Sequence, residues 1–175
     1  YEVIDVDPHF KRVVKYMRPT DYLAWAGLTA AAPAGLLLME HIEPVFPSGQ
    51  TRIVQMRPVL RASVVIGLVG GFLFAYTSSS QRFWGYSENA TEVEKDRYEM
   101  KSKIAQGKPL YGETKLEPWL EQVAVRNSRF SQTLFTLFPW FNFANHKYHG
   151  IDIKKYFETR PGEESWGFNL PSYDE

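Results

Sequence analysis

The stretch YLAWAGLTAAAPAGLLLM (residues 22–39) carries no charged side chain, and ASVVIGLVGGFLFAYTSSSQ (residues 62–81) is a second such run. The two runs contain 18 and 20 residues. A helix of about 20 apolar residues is long enough to cross the hydrocarbon core of a bilayer, which is about 30 Å thick. The sequence therefore predicts a two-helix transmembrane hairpin with spans at about 22–39 and 60–81.

The rest of the chain is polar and charged, so we expect three parts. These are a basic N-terminal arm (1–21), the hairpin (22–86), and a peripheral C-terminal region (87–175) that is helical and ends in an extended tail. The predicted fold class is mainly α. The connection 40–57 contains Pro44, Pro47 and Gly49 and is predicted to be a loop. The arm has four basic residues, which by the positive-inside rule favours termini on the matrix side.

Small residues recur at helical spacing in both runs. Gly27, Ala31 and Gly35 are four apart and share one helical face, and Gly67 and Gly71 form a GxxxG pair. Such stripes let another helix approach closely. They predict packing within the hairpin or against a partner, although glycine and alanine are also simply common in membrane helices.

Two capping boxes predict helices in the C-terminal region. The first, Thr91 to Glu94, predicts a helix to about Gln106 with Gly107 as its stop. The second, Thr114 to Glu117, predicts a helix with Pro118 near its start, a break near residues 127–128, and continuation over 130–138.

Residues 130–143 are dense in aromatic side chains and too broken by Pro139 to span a membrane. This segment is predicted to lie in the membrane interface or to bind another protein, whereas the alternative is that it forms the core of a small domain. The residues that we expect to dock are Trp140, Phe141, Phe143, His146 and Tyr148.

Composition excludes several classes of site. The chain has no cysteine, which excludes disulfides, thiolate zinc sites and Cys-ligated iron–sulfur clusters. The formal net charge is zero, so nothing favours nucleic acid as a partner. The cluster His146, His149 and Asp152 is the only one that resembles a metal site, and such histidines more often bond to carboxylates or backbone. We expect no catalytic, cofactor or metal residue.

The two ends of the chain carry long, unusual motifs. The opening YEVIDVDPHFKRVVKYMRPTDYLAW and the later PWFNFANHKYHGIDIKKYF resemble the fungal-type 21 kDa accessory subunit of mitochondrial NADH:ubiquinone oxidoreductase, respiratory complex I. The resemblance spans nearly the whole chain.

The resemblance implies a non-catalytic subunit of the mitochondrial inner membrane that helps the complex to assemble or to remain stable. FMN, the iron–sulfur clusters and ubiquinone would be held elsewhere in the complex. The implied partners are core membrane-arm helices, neighbouring accessory subunits and membrane phospholipids. The absence of ionisable residues inside either span argues against a proton relay within this chain.

Two other functions stay open from the sequence. The first is an independent hairpin that binds or shapes lipid, a role for which the basic arm and interfacial aromatics are suited. The second is a small membrane metalloenzyme that uses His146, His149 and Asp152.

Overall fold

The computed structural model describes residues 1–45, 50–128 and 141–173, and it is mainly helical, as predicted. No strand occurs in these ranges, where a single parallel bridge joins His9 and Asn142. Two short 3₁₀ turns follow the last α-helix, at Ile153–Tyr156 and Glu164–Trp166. The α-helices are α1 (Phe10–Lys15), α2 (Pro19–Ile42), α3 (Gln50–Phe83), α4 (Ala90–Ala105) and α5 (Pro118–Ser128).

The chain packs as two units that do not follow its linear order. The hairpin unit comprises Met17–Ser79 and so contains α2 and most of α3. The head unit combines Tyr1–Tyr16 with Ser80–Glu175. The N-terminal arm therefore divides between them, because its first 16 residues pack with the C-terminal part of the chain.

Helix α2 begins with a proline at its first position, where the missing N–H costs no hydrogen bond. Asp21, three residues after the cap residue Arg18, accepts a hydrogen bond of 2.7 Å from the backbone N–H of Arg18. The helix contains 24 residues and includes Pro33. By length and composition it qualifies as a membrane span.

Helix α3 contains 34 residues, which corresponds to about 50 Å. Its part from Val54 onward also qualifies as a membrane span by length and composition. The predicted loop over 40–57 was therefore too long, because residues 40–42 belong to α2 and residues 50–57 to α3. Residues 50–57 contain neither glycine nor proline, so nothing in them opposes a helix.

Many apolar side chains of the two long helices point outward. Leu23 is 72% exposed and Ile66 is 69% exposed. Contiguous apolar surface of this kind marks a region that contacts a membrane or another protein.

The head unit is held together by its N-terminal segment. The backbone N–H groups of Ile4 and Val6 donate to the carbonyls of Phe83 and His149 at 2.9 and 3.0 Å. The bond from Phe10 N–H to the Asn142 carbonyl is 2.7 Å long. The buried apolar side chains of this unit come from both parts of the chain and include Ile4, Val13, Tyr16, Phe83, Met100 and Tyr156.

Helix α4 starts one residue earlier than its predicted capping box. Its cap residue is Asn89, whose side chain donates to the carbonyls of Glu2 and Arg82, both at 2.7 Å. The predicted box is therefore not used, because Thr91 is the second residue of the helix and not its cap. Gly107 has a φ of +65° and follows the end of α4, which confirms the predicted stop. Pro118 is the first residue of α5.

Candidate interaction sites

Gly67 and Gly71 lie where the backbone of α3 meets α2. A methyl group on Gly67 would lie 2.9 Å from both the Ala32 Cβ and the Thr29 carbonyl oxygen. On Gly71 it would lie 2.8 Å from the Trp25 carbonyl oxygen. Both distances are too short for a real contact, so these two positions admit no side chain without displacing α2.

Side chains of α2 reinforce the same contact. The indole Nε1 of Trp25 donates to the Leu68 carbonyl at 2.8 Å, and its ring lies 5.2 Å from that of Phe72. Pro33 has no N–H, so the Thr29 carbonyl lacks the donor that a helix normally supplies four residues later. Gly67 stands against that carbonyl, which allows a close Cα–H contact.

The other small-residue stripe has no such neighbour. A methyl group on Gly27 or Gly35 would meet nothing within 4 Å, and Ala31 is exposed. Among the residues that the structure describes, this face of α2 thus makes no contact with α3. Its role in packing stays a prediction, and it would concern a partner.

A buried charge network occupies the centre of the head unit. Asp5 is fully buried and accepts hydrogen bonds from Arg12 at 2.9 Å and from His149 at 2.8 Å. Arg12 also bonds to Asp96, and Asp96 accepts from the Tyr156 hydroxyl at 2.8 Å. The network joins the N-terminal segment to α4 and to the first 3₁₀ turn.

Both ring nitrogens of His149 face oxygen acceptors. Nδ1 lies 2.8 Å from Asp5 Oδ1, and Nε2 lies 2.9 Å from the His146 carbonyl oxygen. The ring of Tyr111 stacks on that of His149, with the ring centroids 3.6 Å apart.

His146 is also inside the head unit, with 2% of its surface exposed. Its Nε2 lies 2.7 Å from Asp7 Oδ2, whereas its buried Nδ1 has no hydrogen-bond partner in the described residues. Its burial leaves His146 little surface on which a partner could dock.

The histidines do not converge with Asp152 on a common point. Asp152 is exposed and accepts a hydrogen bond of 2.9 Å from the Lys154 backbone N–H, which caps the 3₁₀ turn. The described ranges contain no group of three or more His, Cys, Asp or Glu residues placed to hold a metal ion. Sequence analysis did not identify Asp5 and Asp7, the carboxylates that face the histidines.

The predicted docking residues divide between surface and interior. Phe143 is 69% exposed and Tyr148 is 63% exposed. Phe141 is half-buried, and its ring packs on that of Phe10 at 5.6 Å. Trp140, with the predicted continuation of the helix over 130–138, lies outside the described residues.

Helix α5 adds further exposed apolar surface to the head unit. Trp119 is 60% exposed and Val123 is 47% exposed. A groove between this helix and the segment 141–145 has a volume of about 530 Å³.

The predicted extended tail is fastened to α4 by Arg97. This arginine is 2% exposed; it forms an ion pair with Glu163 and donates to the carbonyls of Lys155 and Glu158 at 2.7 and 2.8 Å. Lys101 bonds to Glu163 at 2.7 Å. Burial raises the pKa of Glu163, but the bonds from Arg97, the Arg160 backbone and Lys101 outweigh it and lower the pKa to about 2.

The pKa values of two other carboxylates, both in α4, are shifted in opposite directions. For Glu99, burial raises the pKa, but hydrogen bonds from Lys15, Lys103 and Tyr16 lower it to about 2. For Asp96, burial is the larger effect and raises the pKa despite the neighbouring Arg12 guanidinium. Burial beside Asp96 also raises the pKa of the Tyr156 hydroxyl, which therefore stays a proton donor.

Comparison with known proteins accounts for nearly the whole chain. A family model described as NADH-ubiquinone oxidoreductase complex I, 21 kDa subunit, matches residues 1–88. A second, the C-terminal of NADH-ubiquinone oxidoreductase 21 kDa subunit, matches residues 97–175. The NADH-ubiquinone oxidoreductase 20.9 kDa subunit of Neurospora crassa is 43% identical over 165 residues, which are 93% of this chain and 84% of that protein. These matches confirm the resemblance seen in the sequence, and the chain belongs to the family of the 21 kDa subunit of NADH-ubiquinone oxidoreductase, complex I.

Proposed function

We propose that this chain is a non-catalytic accessory subunit that helps complex I to assemble and remain stable in the mitochondrial inner membrane. The observation that carries the proposal is the hairpin unit, in which Gly67 and Gly71 bring α3 directly against α2. The outward apolar side chains of this unit are then available to lipid and to membrane helices of other subunits.

The composition of the head unit supports a chain that crosses the membrane twice. Its two parts, Tyr1–Tyr16 and Ser80–Glu175, lie before and after the hairpin in sequence and bond to each other. This contact supports placing both parts on the same side of the membrane, with an even number of spans between them. The basic N-terminal arm favours the matrix as that side.

The redox groups would belong to other subunits. FMN, the iron–sulfur clusters and ubiquinone are part of the complex, and this cysteine-free chain lacks the ligands that iron–sulfur clusters most often use. The buried histidines bond to carboxylates and backbone, which suits a structural role.

Two surfaces are proposed for the partners. The face of Gly27, Ala31 and Gly35 would receive a core membrane-arm helix, because its small residues allow close approach. Phe143 and Tyr148, together with Trp140 and Phe141, would contact a neighbouring accessory subunit or the lipid interface. His146 would contribute indirectly, by fixing the segment that carries Phe143 and Tyr148.

A blue-native gel of mitochondrial membranes in mild detergent tests the proposal. The gel would be blotted for this chain and stained for NADH dehydrogenase activity. We expect the chain to migrate with the active high-mass band. Migration as a small free species while that band stays intact would contradict the proposal and favour an independent lipid-shaping hairpin.

The topology has its own test, because the chain has no cysteine of its own. Single cysteines at the exposed positions Lys11 and Lys108 should react with an impermeant maleimide only after the inner membrane is opened. Val45→Cys, at a position that is 80% exposed, should react in mitoplasts with an intact inner membrane. Reaction of Lys11→Cys and Lys108→Cys from opposite sides would rule out a hairpin.

A further inference from the structure

An apolar groove runs along one side of the hairpin unit between α2 and α3. Its volume is about 520 Å³, within the range of ligand sites in proteins. From α2 it is lined by Trp25, Ala26 and Pro33 among others, and from α3 by Val64 and Leu68. Ala26 and Ala30 of α2 line the groove, and their small side chains leave a depression beside the contact at Gly67.

Two arginines continue the line of this groove along α3. Arg57, Arg61, Val64 and Leu68 are spaced by four, three and four residues, so they share one helical face. Arg61 precedes Val64 by one turn, which is about 5 Å. It is also the last charged residue before the uncharged run 62–81.

Both arginines are available for a ligand. Arg57 and Arg61 are exposed, and neither makes an ion pair or hydrogen bond within the ranges that the structure describes. Long basic side chains at the end of a membrane span extend toward the headgroup region. A guanidinium also matches the geometry of a phosphate, to which it can donate two parallel bonds.

We propose that this side of the hairpin is a site for one phospholipid molecule, with its phosphate on Arg61 and Arg57 and an acyl chain in the groove toward Trp25. The charge of the arginines complements that of the phosphate, and the apolar lining complements the chain. The site rests on the proposed membrane hairpin and deepens it, because it selects one face of the hairpin for a particular lipid.

Photolabelling of the full chain in phosphatidylcholine nanodiscs tests this site. The probe is phosphatidylglycerol with a diazirine in its acyl chain, and labelled residues are mapped by mass spectrometry. We expect labels to concentrate on the groove residues over the exposed positions of other faces, such as Leu23 and Ile66. Each of Arg57→Gln and Arg61→Gln should reduce groove labelling by roughly fivefold.

Matched variants separate the site from general lipid contact. Arg126→Gln, which removes an exposed charge from α5, should leave groove labelling unchanged. Ala26→Leu should reduce it by filling the groove, whereas Ala34→Leu on the same helix should not. Resistance to carbonate extraction in every variant shows that the hairpin is still inserted, so failure of the site is distinguished from failure of the hairpin.

Two results would overturn the proposal. One is equal labelling of all faces that no arginine variant changes, which means bulk lipid only. The other is groove labelling that occurs in the isolated chain but disappears in intact complex I, which means that a helix of another subunit occupies the groove.

Discussion

Arg97 illustrates how one buried side chain can hold a long segment in place. Its guanidinium bonds to Glu163 and to the carbonyls of Lys155 and Glu158, so this one side chain joins α4 to the segment 155–163. A buried charge that loses its partner is strongly destabilising, because no water is present to solvate it.

Glu163→Gln should therefore release the tail. The amide cannot neutralise Arg97 and Lys101, and we expect a loss of about 3–5 kcal/mol in the free energy of unfolding of this region. Hydrogen exchange over residues 153–166 measures the effect. Glu164→Gln, which changes a neighbouring residue, is the control, and equal exchange in the two variants would contradict the role assigned to Glu163.

The lowered pKa values of Glu163 and Glu99 give this stabilisation a pH dependence. A carboxyl whose pKa falls from 4.5 in the unfolded chain to about 2 in the folded chain stabilises the fold above pH 4.5. The contribution is lost as the pH falls from 4.5 toward 2. The difference in unfolding free energy between the natural chain and Glu163→Gln should shrink over that range, as measured by denaturant titrations at several pH values. A constant difference would refute this linkage.

The residues of the buried network also show what the sequence cannot reveal. His146 and His149 looked like candidates for a metal site because of their spacing, but their partners are Asp7 and Asp5. These pairs are separated by 139 and 144 residues. Local pattern identifies residues of the right chemistry, whereas only the tertiary fold determines which of them meet.

At the scale of elements, the two small-residue stripes have the same pattern and different surroundings. A methyl group on Gly67 or Gly71 would clash with α2, whereas one on Gly27 or Gly35 would meet nothing within 4 Å. Helical periodicity predicted that each stripe forms a face, and uncharged length predicted both long helices. Neither property says which neighbour a face receives, because that depends on how the helices are rotated against each other.

Gly67→Ala should weaken the contact between α2 and α3. Its methyl group would lie 2.9 Å from the Thr29 carbonyl and from Ala32, so the helices must separate. We expect a loss of about 1–3 kcal/mol, typical of an overpacked interior, and a larger loss for Gly67→Leu. The midpoint of thermal unfolding in detergent, followed by circular dichroism, measures it.

Gly70→Ala is the matched control for this substitution. A methyl group there would meet nothing within 4 Å, and alanine is the better helix former, so its midpoint should be unchanged or slightly higher. Equal midpoints for Gly67→Ala and Gly70→Ala would show that the close approach at Gly67 does not stabilise the hairpin. The same pair, scored by incorporation into complex I, measures how far assembly depends on this contact.

At the scale of the whole molecule, the head unit is built from two segments that the hairpin separates in sequence. Asp5, Asp7 and Arg12 reach it from the first segment, and Asp96, His146 and His149 from the second. Neither segment can satisfy its buried charges alone. The rings of Tyr16 and Phe83 are 5.1 Å apart, so the segments come close where the hairpin leaves and rejoins the unit.

This arrangement predicts that the head unit folds without the hairpin, provided that both segments are present. A chimeric chain in which a flexible Gly-Ser linker joins residues 1–16 to residues 80–175 should be a soluble monomer. Its amide exchange over α4 should match that of the full chain. Residues 80–175 alone should exchange freely there, because Asp96 and His149 would be buried without Arg12 and Asp5.

The chimera with Asp5→Ala and Arg12→Ala separates the effect of these charges from that of chain length, and it should resemble residues 80–175 alone. Equal protection of α4 amides in the chimera, its double variant and residues 80–175 alone would show that the C-terminal part folds by itself. The requirement for both segments on one side of the membrane would then fail.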